Sequence, residues 1–243
     1  MTGAALIVSH GQPSDPAPAE AELARLAAAV ACLMPGWRVG SATLAAEGAL
    51  GRAVASLGPE GRVFPLFMAG GWFTRVHLPG RLAAVGGAGW QVLEPLGCDP
   101  ALHDLTVRVA VQAGAEAVVL AAHGSFKSSV PADIAGHVAG LIRAAGVRVE
   151  VGFIDQAPQL ETLHGHGPRS VCLPFFAAGG SHVTGDIPAA LETAGFQGAI
   201  LPAIGLHEAV PGLIAAAIRR GQEVCQAACR WQSADKQGAM SKF

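Results

Sequence analysis

Two histidines in this chain close apolar runs at places where the backbone needs no imidazole. His123 ends the run AVVLAAHG at residues 117–124, and His182 lies in FFAAGGSHVTGDIP at 175–188. A turn in the second stretch needs small residues, which Gly179, Gly180 and Ser181 supply. The helix that follows needs a cap, and Asp186 with Pro188 in the first turn reads as one. Neither task calls for histidine. Imidazole is both a common metal ligand and a base near neutral pH. Two such ligands hold a divalent ion and still leave coordination positions open, unlike the closed shell of a structural zinc site. The alternative is that each ring only satisfies its own turn by hydrogen bonding.

The elements that must position these residues are written twice. ALIVSHG at 5–11 recurs as VVLAAHG at 118–124, setting His10 opposite His123. FPLFMAGGWFTRVHLP at 64–79 recurs as LPFFAAGGSHVTGDIP at 173–188, and LEPLGCDPAL at 93–102 as LPAIGLHEAV at 201–210. Three matched blocks in one order predict two similar halves, 1–114 and 115–221, followed by a loosely held tail, 222–243. Short apolar runs without polar alternation predict strands buried on both faces, at 117–122, 147–154, 169–175 and 198–202 in the second half. Strands are expected near 3–8, 38–44, 62–67 and 90–94 in the first. Helix-like segments fall at 131–145, 158–165, 186–195 and 207–220. Alternating strands and helices give an α/β class with parallel sheets and right-handed crossovers. Pro65 and Pro174 lie inside strand segments, so each is expected at a strand start or bulge.

The copies differ where the chemistry would be. The repeat sets Phe73 opposite His182 and His77 opposite Asp186. The first half keeps its HG turn but lacks a second imidazole, so one metal site per chain is expected, in the second half. In an open parallel sheet the carboxyl ends of the strands line the ligand crevice, and both His123 and His182 follow a strand. His77 and His207 are weaker candidates; His103, His137, His164 and His166 read as helix or loop surface.

Composition narrows the class further. The 243 residues are 51% apolar and 14% charged, with a formal net charge of -2, which argues against a partner bound by bulk positive charge, such as nucleic acid. No apolar run has the length of a bilayer span, and the first residues lack the basic start of a signal peptide. Five cysteines without a CxxC pair read as reduced thiols in a cytoplasmic protein. Neither a P-loop nor a GxGxxG fingerprint is present, which disfavours an unrelated phosphate-binding enzyme.

HGS at 123–125, VGFID at 151–155, PFFAAGGSHVTGDIP at 174–188 and IGLHEAV at 204–210 resemble the sirohydrochlorin chelatases. These insert cobalt or iron in cobalamin and sirohaem synthesis. The resemblance spans most of residues 4–220 and is sharper in the second half. It implies a class II chelatase-like fold, with two similar Rossmann-like halves and a tetrapyrrole in the cleft between them. It also implies metal-binding, catalytic histidines in the HG and GG-x-H turns, which carry over onto His123 and His182. An acid near the second strand is implied as well. Asp155 fills that place and Glu47 is the nearest acid in the first half, but the glutamate-proline pair usual there is replaced by Ala157-Pro158 and Glu47-Gly48.

The implied chemistry makes further demands. Insertion releases two protons from pyrrole nitrogens, and neutral imidazoles suit both metal transfer and proton uptake. They serve cobalt, iron, nickel and zinc alike. A flat macrocycle needs apolar walls, for which Phe73 and Trp72 are candidates; Phe175 and Phe176 read rather as core. Basic groups would hold its carboxylates, and Lys127 and Arg75 stand beside the paired turns. Gly179 and Gly180, like Gly70 and Gly71, let backbone approach a ring closely, and His10 is placed to touch it. The expected partners are thus a tetrapyrrole and a divalent metal, with no cofactor beyond that metal, in a monomer or weak homo-oligomer without nucleic acid or membrane. A non-catalytic tetrapyrrole or metal carrier on the same fold is the alternative; it would bind without turnover.

Overall fold

Apolar runs with no polar side must be covered on both faces, and helices between them supply the cover. In the computed structural model, which describes residues 3–227 and 229–232, the runs form two parallel four-stranded sheets. The chain begins β1 (Gly3–Ser9), α1 (Pro16–Cys32), β2 (Trp37–Thr43), α2 (Ala49–Leu57) and β3 (Glu60–Pro65). A π-helical turn, Phe73–His77, leads into α3 (Leu78–Ala84), then β4 (Gly89–Val92), a 3-10 turn at Leu96–Cys98 and α4 (Pro100–Gln112). The same series returns as β5 (Ala117–Ala122), α5 (Val130–Ala144), β6 (Val149–Phe153), a 3-10 turn at Leu160–Thr162 and β7 (Ser170–Pro174). A second π-helical turn, His182–Asp186, opens α6 (Ile187–Thr193), followed by β8 (Ala199–Ile200), a 3-10 turn at Ile204–Leu206 and α7 (Val210–Arg220).

The strand orders are β2-β1-β3-β4 and β6-β5-β7-β8, one pattern used twice. In the second sheet Leu120 pairs with both Val151 and Leu173, and every residue of β5 and β7 is buried. Burying a valine or leucine of this kind contributes about 1.5–3 kcal/mol. Val119, Cys172, Ile187 and Leu191 share one core cluster there; Leu6, Val8, Val63, Leu78 and Leu82 share one in the first sheet.

Packing divides the chain into two compact units. One holds the residues up to Asp99 together with Glu208–Ala227; the other holds Pro100–His207 with the described residues 229–232. The repeat breaks at 114/115, but α4 packs on α5 and so belongs to the second unit, while α7 packs on α1 and β3 of the first. The segment after α7 is ordered by pairing: the Glu94 amide donates to Gln222 O and the Val224 amide to Val92 O. Val224 is buried in the first unit's core. A loosely held tail is therefore not what residues 222–227 form; residues 233–243 lie outside the described residues.

Three local expectations change. Pro65 and Pro174 end their strands rather than start or bulge them. The next amides, of Leu66 and Phe175, donate to Val8 O and Ala121 O. The proline nitrogens thus face β4 and β8, whose pairing has already stopped at Val63–Val92 and Cys172–Ile200, and no ladder donor is lost. The segment 158–165 makes only the Leu160–Thr162 turn, because Gly165 at φ +84° followed by Gly167-Pro168 stops a helix. His103 and His166, read as surface, are buried; His103 meets the rings of His137, Phe175 and Trp231, and His166 meets Phe196.

The 3-10 turns press a glycine on the loop that follows the sheet's inner strand. A Cβ on Gly205 would lie 2.2 Å from Ala177 O, and one on Gly97 would lie 2.0 Å from Met68 O. Gly205→Ala must push the 176–180 loop outward. The expected loss is about 1–3 kcal/mol of stability, read by urea unfolding. Separately, burial pushes the Cys172 thiol up to about 12, so almost no thiolate forms at pH 8. A maleimide reagent at pH 8 should label the exposed Cys32 in the native protein and reach Cys172 only after denaturation.

Candidate functional site

His123 is the first residue past β5, and its place is set by the sheet. Its carbonyl accepts from the Asp155 amide at 2.9 Å, extending the pairing of β5 with β6 by one step. The turn beyond it needs Gly124, whose φ is +75° and whose Cβ would lie 2.6 Å from Gln156 Cγ. Gln156 Oε1 then accepts from the Ser125 amide at 2.7 Å. The Nδ1 of His123 lies 3.1 Å from Gly124 O and 3.4 Å from Asp155 Oδ2. Both are acceptors, so the proton of the neutral ring belongs on Nδ1.

His182 opens the π-helical turn after Gly179 and Gly180. Its Nδ1 lies 2.6 Å from Asp186 Oδ2, four residues on. Asp186 was expected to cap the following helix. Its backbone is already helical at φ -67° and ψ -41°, and its carboxylate makes no cap bond. The carboxylate is used on the imidazole instead. Again Nδ1 donates, and Nε2 keeps the lone pair.

The two rings stand 4.7 Å apart between centroids at 88°, and each is less than half exposed, 43% and 44%. That separation sets the two imidazoles side by side within the second unit. Phe176, 6.4 Å from each ring and itself buried, backs the pair with an apolar wall. Carboxylates behind ligating imidazoles fix the tautomer and raise ligand basicity. Among the described residues no group of three or more His, Cys, Asp or Glu side chains converges as a metal site. The arrangement is thus a pair of adjacent imidazoles, each with its Nδ1 against a carboxylate.

The first unit shows the same π-helical turn with a phenyl ring in place of the second imidazole. Phe73 opens its π-helical turn, 5.4 Å from the ring of His10 and 4.8 Å from that of His77. Phe67 and Trp72 complete a cluster of rings around it. A phenyl ring offers no lone pair, and the His77 ring packs against it at a tilt where Asp186 holds His182. Arg75 donates to Ala227 O at 2.8 Å, Glu47 is exposed before α2 with its carbonyl accepting from Arg52, and Lys127 is exposed beside Ser125. A Cβ on Gly180 would meet nothing within 4 Å, so the loop before His182 faces open space. Asp186 and Gln156 are the residues that sequence reasoning missed. The repeat did signal the first: a residue four positions after His182 differs between the copies just as His182 itself does.

The sequence model of the CbiX family matches residues 117–221. The fold is similar to a solved structure described as CbiX, the terminal enzyme for biosynthesis of siroheme in denitrifying bacteria. That protein is 43% identical, with a TM-score of 0.83, over 89% of this chain and 98% of the other. SirB from Bacillus subtilis with Fe3+ shares the fold at 18% identity and a TM-score of 0.71, over 91% of this chain and 96% of its own. The sirohydrochlorin chelatase SirB of the subspecies spizizenii, in complex with cobalt, does so at 17% and 0.67, over 91% and 95%. Among curated proteins the sequence finds no match.

The carboxylate behind His182 can be tested directly. Cobalt titrated calorimetrically into Asp186→Ala should bind about 10–100-fold more weakly than into the wild type. Asp186→Asn, which keeps an acceptor for Nδ1–H, should lose less. Equal affinity in all three proteins would show that Asp186 does not prepare the ligand.

Proposed function

The chain belongs to the CbiX family, and from that membership we propose that it inserts a divalent metal ion, cobalt or ferrous iron, into sirohydrochlorin as a metal chelatase. The observation that carries the reading is the open imidazole pair, His123 and His182, each with Nδ1 turned to a carboxylate. The metal is a substrate here, and the reaction exchanges two pyrrole protons for one M²⁺. Both Nε2 atoms hold the incoming ion while its remaining positions stay open for pyrrole nitrogens. As the ion passes to the macrocycle, the freed imidazoles become bases for the departing protons. His123, on a turn pinned by Asp155 and Gln156, serves as anchor and base. His182, among glycines, has the freedom a donor ligand needs. Asp155 is the acid assigned to this site, through its contact with His123; Glu47 is the alternative.

The tetrapyrrole is assigned to the surfaces around these turns. Phe73, with Trp72 and His10, offers flat apolar contact, and Gly179 and Gly180 allow close approach. Lys127 is a free cation for a carboxylate of the substrate. Arg75 is a second, although part of its guanidinium is spent on Ala227 O. Among the described residues no helix is long and apolar enough to cross a membrane. All five cysteines are reduced, which fits work in the cytoplasm.

Anaerobic incubation with sirohydrochlorin and cobalt or ferrous ion, followed by absorbance, should show many turnovers per chain. Uptake that stops at one equivalent without metallated product would make the protein a carrier. His123→Ala should lower insertion by about a hundredfold or more. His182→Ala should weaken metal capture yet turn over at high cobalt, and His10→Ala should act mildly, on tetrapyrrole binding. If His10→Ala is the most damaging of the three, the active half is the first.

A further inference from the structure

The turn that carries His123 also carries the most exposed large apolar side chain among the described residues, Phe126, at 83%. A single apolar residue on a surface is ordinary. The placement of this one is less so. The next most exposed, Trp72 at 65%, also stands on a strand-end turn, just before the first unit's π-helical turn. The large apolar side chains left most in water thus both sit on turns that the repeat sets at ligand positions.

The backbone beneath Phe126 is held on both sides. Gly124 packs on the Gln156 side chain, and the Ser125 amide donates to Gln156 Oε1 at 2.7 Å. On the other side the Lys127 amide donates to the Ser125 hydroxyl at 3.1 Å. An aromatic ring presented to water from a pinned turn forgoes burial, which a flat apolar partner would restore. We infer that Phe126 is a substrate-contact residue: its ring lies against a face of the tetrapyrrole, three residues along from the imidazole that handles the metal. This rests on the chelatase reading. Phenyl ring and macrocycle are both flat and conjugated, so offset stacking adds to the burial of both surfaces. Because Phe126 and His123 hang on one turn, the contact sets where the macrocycle rests relative to the metal ligand.

Sirohydrochlorin without metal, titrated by absorbance into wild type, Phe126→Ala, Phe126→Leu and Phe126→Trp, tests the inference. Phe126→Ala should weaken tetrapyrrole binding about tenfold and raise the KM for the tetrapyrrole more than it lowers kcat, with Phe126→Leu between and Phe126→Trp near wild type. Cobalt affinity and melting temperature should not move, because the ring touches neither ligand nor core. A Phe126→Ala protein that binds sirohydrochlorin within about twofold of wild type overturns the inference. So does one whose oligomeric state changes at unchanged affinity, which would make Phe126 part of a contact between copies. Wild type that inserts metal while Phe126→Ala is unaffected removes only this residue; wild type that binds no sirohydrochlorin removes the chelatase reading with it.

Discussion

Burial of the inner strands on both faces is the constraint from which the rest follows. In β5 and β7 no position can carry an unpaired polar group without a desolvation cost of about 1–3 kcal/mol. Chemistry is therefore confined to the strand ends, where the ladder stops and side chains regain access to water. His123 is the first residue past β5, and the loop that bears His182 begins directly past β7. The backbone pairs that end each strand then decide where these residues stand. The Asp155 amide on His123 O is one; the Gly205 amide on Phe176 O is another.

Duplication supplied this scaffold twice, and the π-helical turn shows how little was needed to separate the roles. In both units the turn brings the side chains of its first and last residues, four apart, to the same side. In one they are His182 and Asp186, joined by a hydrogen bond; in the other Phe73 and His77, whose rings meet at a tilt. The first pair sets the tautomer of His182, with the lone pair left on Nε2. The second leaves an aromatic surface. One backbone geometry thus presents an imidazole held by a carboxylate in one copy and a cluster of aromatic rings in the other.

The imidazole pair depends on what stands behind it. An imidazole with both nitrogens in water divides its proton between them. A carboxylate at Nδ1 removes that ambiguity, and His123 and His182 each have one, at 3.4 Å and 2.6 Å. The longer contact belongs to the histidine whose backbone is the better fixed, since Gln156 and Asp155 already hold its turn. The shorter one belongs to the histidine in the glycine-rich loop, where the side-chain bond has more of the orienting to do.

The sequence by itself determined the strands, the repeat, the two histidines and the lack of a partner for His10. Each of these is a local pattern, either a run of apolar residues or a motif recurring at a matched place. Tertiary structure alone decided the rest. Asp186 was legible as a helix cap, because an aspartate before Ile-Pro in sequence looks the same whether its carboxylate turns to the backbone or to a ring. That choice depends on the π-helical winding of residues 182–186, which carries no signature in residue type. The packing of α7 with the first unit, and of α4 with the second, was hidden for a similar reason. A helix's apolar stripe states that it must be covered, not by which sheet, and only the assembled chain settles which surface is there to cover it.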